Sequence, residues 1–190
     1  MIPFNEDLQA CLKVLQEGGL ILYPTDTVWG IGCDATNPLA VQKVYDLKRR
    51  ADSKALIVLV HEEEQLLQYT DQPNLIIFDY IKGLHKPTTV IYEKAKNLAH
   101  NLIAADGSIG IRVCKDTFCY HLIQAIGKPI VSTSANISGY PTPFCFNDIS
   151  LDIIEGVDYT VKHRQEEVEM HQPSSIIKWD AEGHLIIIRN

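Results

Sequence analysis

The sequence has no apolar run long enough to cross a bilayer. Its longest such stretches, among them SLDIIEGV (150–157) and HLIII (184–188), fall far short of the ~18–20 residues a span needs. No basic segment precedes an apolar run at the start, so no secretory signal is read there. The five cysteines (Cys11, Cys33, Cys114, Cys119 and Cys145) are odd in number and never spaced CxxC. They are expected to be reduced thiols of a cytoplasmic protein rather than a disulfide or zinc framework. The seven histidines form no HxH or HxxxH pair, which leaves a zinc site without support. Cations are in deficit, 17 Lys and Arg against 24 Asp and Glu, for a formal charge of −7. That excludes a protein whose whole surface coats a phosphate backbone, although a local cationic groove survives the argument. Three chemical signatures are also missing: the phosphate loop GxxxxGK[ST], a GxGxxG after a strand, and the GxSxG elbow of serine hydrolases.

What remains is an ordinary globular composition. The 190 residues are 46% hydrophobic and 22% charged, which excludes a disordered chain and suits one domain with a substantial core. No repeat, low-complexity tract or linker divides it, so residues 1–190 are read as a single domain. Leu8, Cys11, Leu12 and Leu15 recur at helical spacing before Gly18-Gly19. LILYP (20–24), ALIVLV (55–60), TTVIY (88–92), SIGIRV (108–113) and PIVS (129–132) read as strands. Helices are expected after Asn37-Pro38, from HEEEQLLQY, over 74–82 and over Phe118–Ile126. Three late strands follow, Val157–Val161, Ser175–Trp179 and Leu185–Arg189, the last two joined by a turn. The alternation predicts an open α/β sheet, parallel in part, with flanking helices and an antiparallel section added late.

Polar groups gather where a strand gives way to a loop, the usual place for a ligand in such sheets. YPTDTVWG offers Thr25, Asp26 and Thr27 beside Gly30 and Gly32; alone it also reads as a capped turn. Lys48-Arg49-Arg50 closes a helix, where cations suit the dipole or clamp a phosphate or carboxylate. Arg112 sits mid-strand among Ile109, Ile111 and Val113, and so lies either on a solvent face or against an anionic ligand. STSAN (132–136) combines small residues and hydroxyls in the manner of an anion nest, and equally contains an N-cap. Ser174 and Ser175 precede a strand in what, by itself, reads as a surface turn.

In this order and spacing the segments resemble the threonylcarbamoyl-AMP synthase family, the YrdC-like proteins, from about Leu8 to Arg189. YPTDTVWG matches the family's PT[DE]T stretch, Lys48 and Arg50 its KxR, and Ser134 and Asn136 its SxN. IGIRV and the closing PSSII…IIIR match as well. The length resembles the short, single-domain members. The resemblance implies a twisted open α/β sheet, mixed parallel and antiparallel, around a concave, positively charged groove. It also implies a reaction: L-threonine, bicarbonate and ATP give threonylcarbamoyl-AMP and pyrophosphate, with Mg²⁺ on the phosphates. The product would pass to a tRNA-modifying threonylcarbamoyltransferase complex. By position, Thr27, Arg112, Ser132 and Ser174 match threonine contacts. Lys48, Arg50, Lys54, Ser108, Ser134, Asn136, Thr142 and Arg189 match nucleotide and phosphate contacts, with Lys48 and Arg50 as the catalytic pair. A carbamate attacking an α-phosphate brings anion to polyanion, so charge neutralisation and positioning are the chemistry such cations supply.

The sequence departs from the family twice. The stretch before the middle strand reads IKGLHKPTTV (81–90) instead of a WPGPLT type, and Leu59 stands where some members carry His. Two other functions of the same fold compete. One is a double-stranded RNA-binding or ribosome-maturation protein, which would hold tRNA or a duplex by its phosphates. The other is a carbamoyl-transfer module, against which stands the absence of acylphosphatase or zinc-finger segments.

Overall fold

Local signals set the helices. In the computed structural model, residues 3–50, 56–71, 80–84, 86–168, 172–180 and 182–190 are described. Asn37 caps the helix Pro38–Leu47, its side-chain oxygen accepting from the Leu39 and Ala40 amides at 3.0 and 3.2 Å. Pro38 at the first position sacrifices no intrahelical bond. The helix Thr117–Ile126 is capped by Asp116, which accepts from the Cys119 amide, and stops at Gly127 with φ +67°. The helix Asn5–Gln16 buries Leu8, Cys11 and Leu15. It ends in a Schellman turn: Gly18 takes φ +74°, its amide bonds Leu15 O, and the Gly19 amide bonds Val14 O. Helix Asn5–Gln16 packs against β1 (Ile21–Tyr23) and against helix Thr117–Ile126, which in turn meets β3 (Ile57–Val60).

The remaining strands are β2 (Gly30–Gly32), β4 (Thr88–Tyr92), β5 (Ile109–Val113), β6 (Ile130–Ser134), β7 (Tyr159–Thr160), β8 (Ser175–Trp179) and β9 (Leu185–Arg189). They form one sheet in the order β7-β1-β2-β6-β3-β5-β4-β8-β9. β1–β7, β3–β5 and β4–β8 pair parallel, and the other five neighbours pair antiparallel. Antiparallel pairing is therefore spread through the sheet, not confined to its end. β2 lies within what reads as a loop in the sequence, because its glycines hide the strand signal. β6 runs on through Ser134, so most of STSAN is strand rather than loop. Of the helix expected over 74–82, residues 80–82 are helical and the rest lie outside the described residues.

Register then sorts the side chains, since paired residues share a face and neighbours along a strand alternate. Gly30 pairs with Ser134, Ile57 with both Ser132 and Gly110, and Leu59 with Arg112. Ile91 pairs with Gly110, Thr89 with Ile176, and Ile176 with Arg189. One face thus collects Gly30, Ser132, Ser134, Gly110, Arg112, Thr89 and Arg189. The other carries Ile31, Val131, Val58, Ile111, Val90 and Ile177, all buried in the core.

Candidate functional site

The small-residue face holds a groove of about 220 Å³. Glycine and serine leave room there that larger side chains would fill. Thr27, Arg50, Arg112, Ser132, Ser134, Thr142, Ser174 and Arg189 line it, so the fold brings together eight of the residues singled out from sequence. Among the described lining residues are three arginines and no carboxylate.

Each guanidinium arrives by a different route. Arg50 is delivered by a second Schellman turn: the Arg49 amide bonds Asp46 O and the Arg50 amide bonds Tyr45 O at 2.9 Å. The left-handed position here is filled by Arg49 at φ +50°, a conformation that costs a residue with a Cβ roughly 1–2 kcal/mol. The reversal turns Arg49 outward to an exposed ion pair with Asp152 and Arg50 inward to the groove. Arg112 comes from the middle of β5 and is 2% exposed. Its Nη2 stands 3.0 Å from Asp26 Oδ1, yet neither Nη2 nor Nε makes a hydrogen bond. Arg189, from β9, donates through Nε and Nη2 to the Ser174 carbonyl at 3.1 and 2.8 Å. Burial lowers the pKa of Arg50 and of Arg189, and for Arg189 the Arg112 charge adds to the effect. Cations that repel one another inside a groove favour an anion between them.

Lys48, expected beside Arg50 on the substrate, does not line the groove. It is 1% exposed, and its Nζ donates to the carbonyls of Ser134 and Asn136, the latter at 2.6 Å. Its own carbonyl accepts from the Ser138 amide, so Lys48 clasps the chain leaving β6 from both sides. Burial pushes its ammonium down to about 7, with the Arg50 charge adding. Asn136 accepts from the Ser134 hydroxyl at 2.6 Å and donates to the carbonyls of Ile137 and Tyr140. Asn136 and Thr142 line an adjoining cavity of about 600 Å³ that also includes Tyr140 and Phe144. Ser108 is absent from both cavities; it sits in the turn before β5, its amide donating to Asp106. Lys54 lies outside the described residues.

Sequence reasoning missed Thr89. It reads simply as a strand residue in the divergent 81–90 stretch, yet its hydroxyl lies 2.9 Å from that of Ser174 under the groove. Its sequence signal is weak, since Thr88 and Tyr92 of the same strand also carry hydroxyls. Leu59 is fully buried beside Arg112 in the register, which places the family's occasional His position in the core here. The sole three-residue group of metal-ligating type among the described residues, Asp180, Glu182 and His184, lies on the β8–β9 turn and not in the groove. No helix among the described residues is long and apolar enough to cross a membrane.

The chain is similar to known proteins over most of its length. Residues 13–190 match the Sua5–YciO–YrdC family model, described as "Telomere recombination". A threonylcarbamoyl-AMP synthase of Vibrio campbellii is 37% identical over 140 residues, covering 72% of this chain and 75% of its own. Another, of Pseudoalteromonas translucida, is 33% identical over 157 residues, 81% and 84% of the two chains. The fold matches P. abyssi Sua5 complexed with L-threonine at a TM-score of 0.85 and 22% identity, over 97% of this chain. This chain spans 54% of that protein's length. E. coli YciO superposes at a TM-score of 0.83 with 20% identity, over 97% and 89% of the two chains.

Proposed function

The chain belongs to the Sua5–YciO–YrdC family, and on that premise we propose that it is a threonylcarbamoyl-AMP synthase, a nucleotidyltransferase that condenses L-threonine, bicarbonate and ATP. One observation carries the reading: sheet register and the turn after helix Pro38–Leu47 bring three guanidinium groups and six hydroxyl-bearing residues into a single groove with no lining carboxylate among the described residues. A site for an amino-acid carboxylate and a triphosphate needs that polarity. The curated relatives named for this activity support it.

In this reading the threonine carboxylate meets the open donors of Arg112, with Thr27, Ser132 and Ser174 around the rest of the molecule. The amine takes up bicarbonate with loss of water, and the resulting carbamate oxygen attacks the α-phosphate as pyrophosphate leaves. Arg50 and Arg189 neutralise the charge that builds between the two anions. Lys48 contributes by holding the Ser134–Asn136 segment in place, and the nucleoside occupies the adjoining cavity past Asn136 and Thr142. Mg²⁺ would be supplied on the phosphates of ATP and would help to neutralise them, since the described groove lining offers no carboxylate to hold the metal. The product goes to a tRNA-modifying threonylcarbamoyltransferase complex in the cytoplasm. Duplex RNA binding has less support: the formal charge is −7, and the curated relatives are named for the synthase activity.

Pyrophosphate release from ATP, with L-threonine and bicarbonate each omitted in turn, tests the proposal. Release that requires both is expected. Release with neither identifies a plain nucleotidase and overturns it. Arg50→Ala is expected to lose the threonine-dependent release while keeping its thermal melt.

A further inference from the structure

Two residues that do not line the groove determine what the groove residues can bind. Thr25 is 2% exposed, and its hydroxyl is in contact with three groups. It donates to the Val28 carbonyl at 2.8 Å, accepts from the Thr27 amide at 3.0 Å, and lies 2.9 Å from the Thr27 hydroxyl. A hydroxyl has one proton. Because Thr25 gives its proton to Val28, the bond between the two hydroxyls must take its proton from Thr27. Thr27 therefore faces the groove with lone pairs only, as an acceptor. Asp26, the next residue, stands against Arg112. Its Oδ1 faces Nη2 at 3.0 Å but outside hydrogen-bond geometry, so the charge is balanced while Nε and Nη2 remain open. Arg112 is thus a pure donor whose bonds are not consumed by its partner.

The segment carrying both residues is pinned from behind. Cys119 Sγ lies 3.4 Å from the Pro24 carbonyl, Arg164 Nη1 donates to the Thr25 carbonyl at 3.3 Å, and Cys114 Sγ lies 3.4 Å from Asp26 Oδ1. We infer that Thr25 and Asp26 are positioning residues that give the amino-acid subsite a fixed polarity: an acceptor at Thr27 for an N–H or O–H of the ligand, and an open, charge-balanced donor at Arg112 for its carboxylate. The subsite consequently selects a molecule that presents a donor and a carboxylate together, in one orientation. This inference rests on the threonine reading above.

The test is steady-state pyrophosphate release by the full chain, titrating L-threonine and ATP separately for Thr25→Val, Thr25→Ser, Asp26→Asn and Asp26→Glu. Losing the orienting hydroxyl in Thr25→Val, or the countercharge of Arg112 in Asp26→Asn, is expected to raise the threonine KM roughly tenfold. The ATP KM and kcat are expected to stay within about twofold, a change of under 0.5 kcal/mol. Thr25→Ser keeps the hydroxyl and is expected to match the parent chain; Asp26→Glu keeps the charge and is expected to recover part of the loss. Thr25→Ser and the isosteric Asp26→Asn keep the test decisive should Thr25→Val fail to fold. A threonine KM unchanged or lowered in both Thr25→Val and Asp26→Asn overturns the inference, as does a parallel rise in the ATP KM. Thr25→Ser as defective as Thr25→Val also overturns it. A parent chain without threonine-dependent release overturns the functional reading together with this inference, whereas an active parent with indifferent variants overturns the inference alone.

Discussion

The two faces of the central sheet are made from the same strands by the same alternation, yet they do opposite work. On one face Val58, Ile111 and Val131 are buried and pack the core. On the other, one residue along each strand, stand Ile57, Arg112 and Ser132, which line the groove. Arg112 is as buried as its apolar neighbours, 2% exposed against 1% for Ile111, so burial alone does not distinguish the faces. Partners do. The apolar side chains are satisfied by contact, whereas the Arg112 guanidinium keeps donors open. A buried polar group left without a bond is costly, and a ligand that fills those bonds recovers the cost. The comparison teaches that a polar face can be as enclosed as a core and still be distinguished from it by its unfilled valences.

Four substitutions break or sharpen that contrast. The largest effect belongs to Arg112→Ala, expected to lower threonine kcat/KM about a hundredfold or more through loss of charged bonds. It also leaves Asp26 without its countercharge, so a melt should show a stability loss of about 3 kcal/mol. Ile111→Ala, one residue away on the other face, inverts the pattern. It is expected to cost about 3 kcal/mol in urea unfolding while the threonine KM of the folded fraction stays unchanged. A raised KM there would mean the two faces are not independent.

Lys48→Met probes the clasp beneath the groove through pH. Lys48 is held near 7 against an ordinary 10.5. Between those values the unfolded chain binds a proton that the folded chain does not, so stability rises with pH across that window. The substitution is expected to flatten the rise between pH 7 and 9 in urea melts; an unaltered slope would assign it to another group. The smallest effect is Arg49→Gly. Glycine accepts φ +50° without a Cβ clash, as Gly18 does at the equivalent turn of the first helix, and a gain of about 1 kcal/mol is expected. The exposed pair with Asp152 that is lost contributes little. Activity should be retained, because Arg50 is still delivered to the groove.

Much of this was legible in the sequence, and the reasons are particular. The alternation of Ile109, Ile111 and Val113 against Gly110 and Arg112 separates the two faces of β5 correctly, and leaves open whether Arg112 meets solvent or a ligand. Asn37-Pro38 and Gly18-Gly19 mark helix ends by local chemistry that needs no tertiary context. The ordered motifs locate Thr27, Arg50, Ser132, Ser134, Ser174 and Arg189, which the fold places in one groove. Lys48 was not legible as a buried clasp, because a cation at a helix end looks the same whether it faces water or two carbonyls. Strand order hid too: β2 is three residues with two glycines, a composition that reads as loop until β1 and β6 pair with it. Thr89 reaches the site only through pairing with β8, 85 residues away from its hydroxyl partner Ser174.

The central claim is that the small-residue face of the sheet is an amino-acid and nucleotide site with Arg112 as its carboxylate donor. The most direct measurement is a crystal structure of the chain grown with L-threonine. The account predicts threonine in the groove, its carboxylate on Nε and Nη2 of Arg112 and a donor of the ligand on Thr27 Oγ1. Threonine bound elsewhere, or a groove left vacant at saturating threonine, would contradict it.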